Sequence, residues 1–202
     1  MRLRSSFLPG VYQGTYLDTR KKDVEKLVAN IRNKTLSLAD QRQQLDLLSK
    51  LNQRHRRARR DDSLLEARIE SFELAFRMQL EATDALDVSR ETQAIHKLYA
   101  TDTVHGRQML MARRLVERGV RFVQLFVNFQ PWDNHGNLIG GLRSICNQTD
   151  QPIAALIKDL KQRGLLDSTL IVWGGEFGRL PIAQGKNGRD HNKNSMVSWL
   201  AG

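Results

Sequence analysis

The chain has 202 residues, 40% hydrophobic and 6% aromatic, which is enough for a modest core in one domain or slightly more. It contains no apolar run of about 18 residues, so no membrane-spanning helix and no membrane partner are expected, and its single cysteine, Cys146, excludes an internal disulfide framework and a paired-cysteine zinc site. The net charge of +10 lies wholly in residues 1–60, where 15 Lys/Arg face 5 Asp/Glu (15 − 5 = +10), while residues 61–202 balance 17 against 17.

Residues 1–19 read as irregular, with Pro9-Gly10 and Gly14 as breakers, and the first ten are too short and interrupted for a signal-peptide core. Val24, Leu27, Val28 and Ile31 have helical spacing over residues 20–33. Ser37, with Asp40 three residues on, opens a second helix carrying Leu38, Leu45, Leu48 and Leu51. That helix runs into the basic stretch 50–60. Such a run attracts polyanions by counterion release. No aromatic side chain is interleaved to stack on bases, so the ordinary reading is a solvated helix end and nucleic acid is not an expected partner. Ser63 and Glu66 form a second capping box, ahead of the stripe Leu65, Ile69, Phe72, Phe76, Leu80 that reads as core packing. Residues 84–103 read as helix ends and connections.

The pattern changes near residue 104. Residues 104–117 read as a helix stopped by Arg118-Gly119. Residues 120–127 are apolar on both faces and read as a strand. Asp150 and Pro152 open a helix with Ile153, Leu156, Ile157 and Leu160 that ends at Gly164. Residues 170–173 read as a second strand and 197–200 as a third. Strand, helix, strand with apolar strands predicts an α/β fold with a mostly parallel or mixed sheet flanked by helices. The expected organisation is a helical region, 1–103, followed by a βαβ portion, 104–202.

Ligands in open α/β sheets gather at the carboxyl ends of strands. Three polar clusters fall at such places: Trp132-Asp133-Asn134-His135-Gly136-Asn137, Gly174-Gly175-Glu176-Phe177-Gly178-Arg179 and Gly188-Arg189-Asp190-His191-Asn192. Taken singly, Asp133 and His135 could be a turn, Glu176 a partner of Arg179, and 188–190 a surface turn. Their joint placement points to a metal site. Carboxylate and imidazole suit zinc, manganese or iron, and more carboxylate suits magnesium or calcium. His55, His96 and His105 lack partner acids in sequence and read as structural. Cys146 has no adjacent base and does not read as a nucleophile.

The segment 164–179, with Phe7-Leu8-Pro9-Gly10-Val11-Tyr12-Gln13-Gly14, Arg118-Gly119-Val120-Arg121-Phe122-Val123-Gln124-Leu125, Trp132-Asp133-Asn134-His135-Gly136-Asn137 and Gly188-Arg189-Asp190-His191, carries a resemblance. The chain resembles the large bacterial sulfatase-like domain-of-unknown-function family 1501, within the alkaline phosphatase superfamily. That resemblance implies an alkaline phosphatase-like sheet between helices and a divalent metal (zinc, calcium, magnesium or manganese) serving hydrolysis of a small sulfate or phosphate ester. By position it implies Asp133, His135, Glu176 and His191 as metal ligands, Asp190 as a ligand or as the group that orients His191, and Arg179 as a contact to substrate oxygen. Phe177 stands where the superfamily places histidine, so one metal is expected. The family's nucleophile lies on early strands that this sequence lacks. The chain is therefore expected to be the C-terminal part of a member, inactive alone and prone to self-association through open sheet edges; the alternative is a non-catalytic module of the same fold. Members are often exported, but this sequence carries no signal that fixes a compartment.

Overall fold

In the computed structural model the described residues are 14–28, 33, 35–58, 69, 72–73, 76, 83–127 and 130–202. They fall into two compact units, Met1–Asp87 and Val88–Gly202. Helices and small antiparallel sheets make up the fold, and no helix among the described residues is long and apolar enough to cross a membrane.

In the first unit Asp23 caps α1 (Val24–Leu27) by accepting the Glu25 N–H. The helix expected over 20–33 stops after this turn, because the β-branched Val28 is extended at φ −111°, ψ 124°; Ile31 lies outside the described residues. Helix α2 (Leu38–Ala58) opens as its cap predicts: Ser37 Oγ accepts the Asp40 N–H at 3.2 Å and donates to Asp40 Oδ2 at 2.6 Å. From α2, Arg42 reaches both Glu73 oxygens at 2.9 Å, a bidentate pair, and covers the Phe76 ring at 5.3 Å. Of the expected stripe, Ile69, Phe72 and Phe76 are helical, Phe76 is buried and Phe72 is exposed. Leu65, Leu80 and the Ser63–Glu66 box lie outside the described residues. So do the end of the basic run, residues 59–60, and the motif at residues 7–13.

The second unit is built on three helices, α3 (Gln93–Tyr99), α4 (Val104–Glu117) and α5 (Leu138–Gln162). Thr92 caps α3 and Thr103 caps α4, each through its hydroxyl. The first turn of α4 passes so close to the end of α3 that a Cβ on Gly106 would stand 2.1 Å from the Ala100 carbonyl oxygen, so only glycine fits there. Buried positions on α5 recur at Ile145, Thr149, Pro152, Leu156 and Leu160, one face of a helix. Tyr99, Leu110, Ala155, Leu156 and Leu160 form the core, with Ile95, Met109, Leu165 and Ile171 against it.

A charged layer crosses this core. Arg113, 2% exposed, donates to Glu117 at 2.5 Å and comes within ion-pair distance of Glu91 (2.8 Å) and Asp159 (3.1 Å). Asp159 also accepts from Tyr99 Oη at 2.9 Å and Arg163 Nε at 2.7 Å, while Arg114 pairs with Glu91. Burial, then the Asp159 charge, pushes the Tyr99 hydroxyl well above its ordinary value. Burial alone would raise Glu91, but its hydrogen bonds from Arg114 and Arg113 outweigh that and leave it lowered. Three arginines against three acids make the layer neutral, which is how a core tolerates it.

The second unit departs from expectation in three ways. Residues 121–127 form no strand, although their composition favours one. Phe122 is 80% exposed, and a strand needs a partner ladder that the unit does not supply here. The helix expected from residue 150 begins at 138, with Pro152 inside it; packing of the α5 face overrides the low helix propensity of Gly140 and Gly141. Lastly, the pairing is antiparallel. Strand β1 (Ile171–Gly174) pairs with β4 (Ser198–Ala201), and β2 (Gly178–Arg179) pairs with β3 (His191–Asn192) nested between them. The expected strands at 170–173 and 197–200 are thus present within one residue, but as the two arms of a hairpin. No parallel ladder occurs among the described residues, so the expected alkaline phosphatase-like sheet is not seen.

Candidate metal centre

The nested hairpin positions half of the site. In β2 and β3, Arg179 stands directly opposite His191, and opposed residues of an antiparallel pair present their side chains on one face. The Phe177 ring lies 4.4 Å from the His191 ring, and the Arg179 guanidinium lies 5.9 Å from the Phe177 ring centre. Phe177 therefore props the imidazole where it cannot ligate. The arms continue past the ladder: Leu180 N–H donates to the Asp190 carbonyl at 2.8 Å and Asp190 N–H to the Ile182 carbonyl at 3.2 Å.

The other half comes from residues 131–137, the loop before α5. Trp132 meets Trp173 of β1 edge to face, centroids 5.7 Å apart, which fixes the loop against the hairpin. Two backbone hydrogen bonds then join the loop to the hairpin tip, Arg189 N–H to the Asn134 carbonyl at 2.9 Å and Leu138 N–H to the Asn187 carbonyl at 2.7 Å. Between them Gly188 lies against the His135 carbonyl, where a Cβ would stand only 1.9 Å away.

This clamp brings Asp133, His135 and His191 together. Asp133 Oδ1 lies 2.9 Å from His191 Nε2 and 3.1 Å from His135 Nε2, and the two Nε2 atoms are 3.2 Å apart. The three ligand atoms all lie within 4.8 Å of one another, a group that can hold a metal ion. Asp190 Oδ1 accepts from His135 Nδ1 at 2.6 Å, and its Oδ2 accepts the Gln184 N–H at 2.7 Å. With Nδ1 donating to Asp190, Nε2 of His135 keeps its lone pair for the cluster. Asp190 thus orients His135, where the resemblance implied a ligand or a group that orients His191. Arg179 Nη1 donates to Asp133 Oδ1 at 2.5 Å.

The electrostatics follow from these contacts. The His191 hydrogen bond, then the Arg179 guanidinium, holds the Asp133 carboxyl below the usual aspartate range. The His135 ring, then the Gln184 N–H, does the same for Asp190. His135 and His191 are about half exposed, so the cluster is open to solvent and to a ligand. Glu176 lies exposed in the bend between β1 and β2 and is not one of the three converging residues. Arg189 turns back to the Gly188 carbonyl. Gly188 and Phe177 fall within the expected clusters, but the sequence assigns neither a structural role there. The signal for Gly188 was its place two residues before Asp190, which is also what a plain turn looks like.

The fold and cluster define a mixed helix–sheet protein with a histidine–aspartate group of metal-ligand type. The chain belongs to the family described as protein of unknown function (DUF1501), which matches residues 2–202. That match says nothing of sulfatases or of the alkaline phosphatase superfamily. No curated protein and no solved structure matches the chain.

Proposed function

We propose that this cluster is the metal-binding centre of a metal-dependent sulfate or phosphate ester hydrolase. The observation that carries the reading is the convergence of Asp133, His135 and His191 ligand atoms within 4.8 Å. Two imidazole nitrogens and one carboxylate oxygen are one of the ligand sets of catalytic zinc sites, which keep a position open for water or substrate. Calcium and magnesium prefer all-oxygen shells, so zinc, then manganese, suits these donors best. The orienting carboxylate on His135, from Asp190, is the usual support of a ligating imidazole. The chemistry supplied by the metal when bound is positive charge that polarises the ester oxygens. Around it, this chain's residues hold and orient: Asp133, His135 and His191 as ligands, Asp190 fixing the tautomer, and Arg179 offering a guanidinium to an anionic oxygen.

The test begins with binding. Zinc, manganese, magnesium and calcium are titrated into the chain, its His135→Ala form and its His191→Ala form, followed by turnover of aryl sulfates and aryl phosphates. One zinc per chain, lost in both variants, is expected. No binding of any of these metals to the folded wild type would refute the reading. Turnover above that of zinc in buffer, lost in both variants, would count against the non-catalytic module.

A further inference from the structure

The position of Arg179 has a consequence for how the site fills. Its Nη1 donates at 2.5 Å to Asp133 Oδ1, the same oxygen that faces His191 Nε2 at 2.9 Å and His135 Nε2 at 3.1 Å. The geometry leaves little slack: Arg179 is fixed opposite His191 by the β2–β3 register and lies beside Phe177. A cation that joins the two Nε2 atoms through Asp133 Oδ1 would therefore share that oxygen with a permanent positive charge. Two like charges on one oxygen repel, and the repulsion is relieved by an anion that touches both. A guanidinium carries five N–H donors in a planar fork that matches oxyanions, and the contact to Asp133 uses only part of it. The side chain of Arg179 is 27% exposed, so the fork is reachable.

We propose that Arg179 couples the two ligands of this site, so that a divalent metal and a tetrahedral oxyanion each bind more tightly in the presence of the other. Arg179 opposes the metal when it binds alone and recruits the anion once the metal is there. The proposal rests on the metal-centre reading and adds to it a mutual dependence in which neither ligand is well held by itself. Linkage requires the effect to be reciprocal and equal in both directions.

The experiment measures zinc affinity by competition with a chromophoric chelator. It is run at fixed ionic strength, with and without inorganic sulfate, for the wild type, Arg179→Gln and Arg179→Lys, each checked for folding by circular dichroism. In the wild type sulfate should tighten zinc binding by at least about fivefold, the lower end of ordinary coupling. Arg179→Gln should bind zinc alone more tightly than the wild type and lose the sulfate effect. Arg179→Lys should keep part of it, as a point charge without the fork. Zinc binding that is indifferent to sulfate in the wild type overturns the coupling alone, as does a sulfate effect that survives intact in Arg179→Gln. Zinc that binds none of the three folded proteins overturns the metal centre and the coupling together.

Discussion

Gly188 is the sharpest point at which the site can be perturbed without touching a ligand. In Gly188→Ala the new Cβ would stand 1.9 Å from the His135 carbonyl oxygen and 2.7 Å from the Gly136 nitrogen, both backbone atoms, where real contacts do not fall below 3.0 Å. The hairpin tip and the 131–137 loop must therefore part by about 1 Å, the difference between those contact distances. That separation breaks the bonds of Arg189 to Asn134 and Leu138 to Asn187, now 2.9 and 2.7 Å long. At about 1 kcal/mol for each, the second unit should lose about 2 kcal/mol. The same movement shifts His135 against His191 and Asp133. Metal–ligand distances tolerate only about 0.2 Å, so zinc affinity should fall by about 10–100-fold, as for loss of other supports around a metal site. The internal control is Gly185→Ala. Its Cβ would lie an ordinary 3.4 Å from the same His135 oxygen. Zinc titration and urea unfolding, followed by tryptophan fluorescence, measure both effects. Equal zinc affinity and stability in Gly188→Ala and wild type, or equal damage in Gly185→Ala, would show that the loops are not clamped as described.

Three further outcomes are expected. Asp159→Ala removes one partner from a nearly buried Arg113 and the acceptor from Tyr99. Because Arg113 keeps Glu117 and Glu91, the loss should sit near the low end for a broken buried pair, about 3 kcal/mol, whereas Tyr99→Phe should cost about 1 kcal/mol; urea unfolding of both variants and their double mutant checks the ordering. Asp190→Ala should weaken zinc by about 10–100-fold, with His135 shifting toward its other tautomer in nitrogen NMR and Asp190→Asn falling between. Asp133 and Asp190 both have lowered folded pKa values, so the stabilisation from their contacts is complete above the ordinary aspartate range, about pH 4. It is lost only as pH falls further, through the folded values. An acid titration of the metal-free chain, followed by the His135 and His191 resonances, should find the cluster intact at pH 5, and its loss above that pH would contradict the sign.

How much of this was legible beforehand depends on the range of the interaction that decides each feature. Local signals were reliable: the Ser37 cap with Asp40, the α4 helix over Val104–Glu117, and the β1 and β4 segments within one residue. Each is fixed by neighbours in sequence, through capping geometry or side-chain period. Asp133, His135 and His191 were also named from the sequence alone, since acids and imidazoles in glycine-rich turns after apolar segments are unusual enough to notice. What the sequence could not decide was pairing. An apolar segment such as 120–127 says that it prefers a strand, not that a partner will meet it, and β1 and β4 found each other in antiparallel register across 23 intervening residues (Gly175–Val197). That same pairing, with β2 and β3 nested inside it, put Arg179 opposite His191 and carried Asp190 to His135, 55 residues away in the chain. The metal-ligand residue types were a property of the sequence. Which of them share an oxygen, which one is oriented by Asp190, and why position 188 must lack a side chain were decided by two loops closing on each other, because backbone contacts of 2.7–2.9 Å between distant segments leave no local trace.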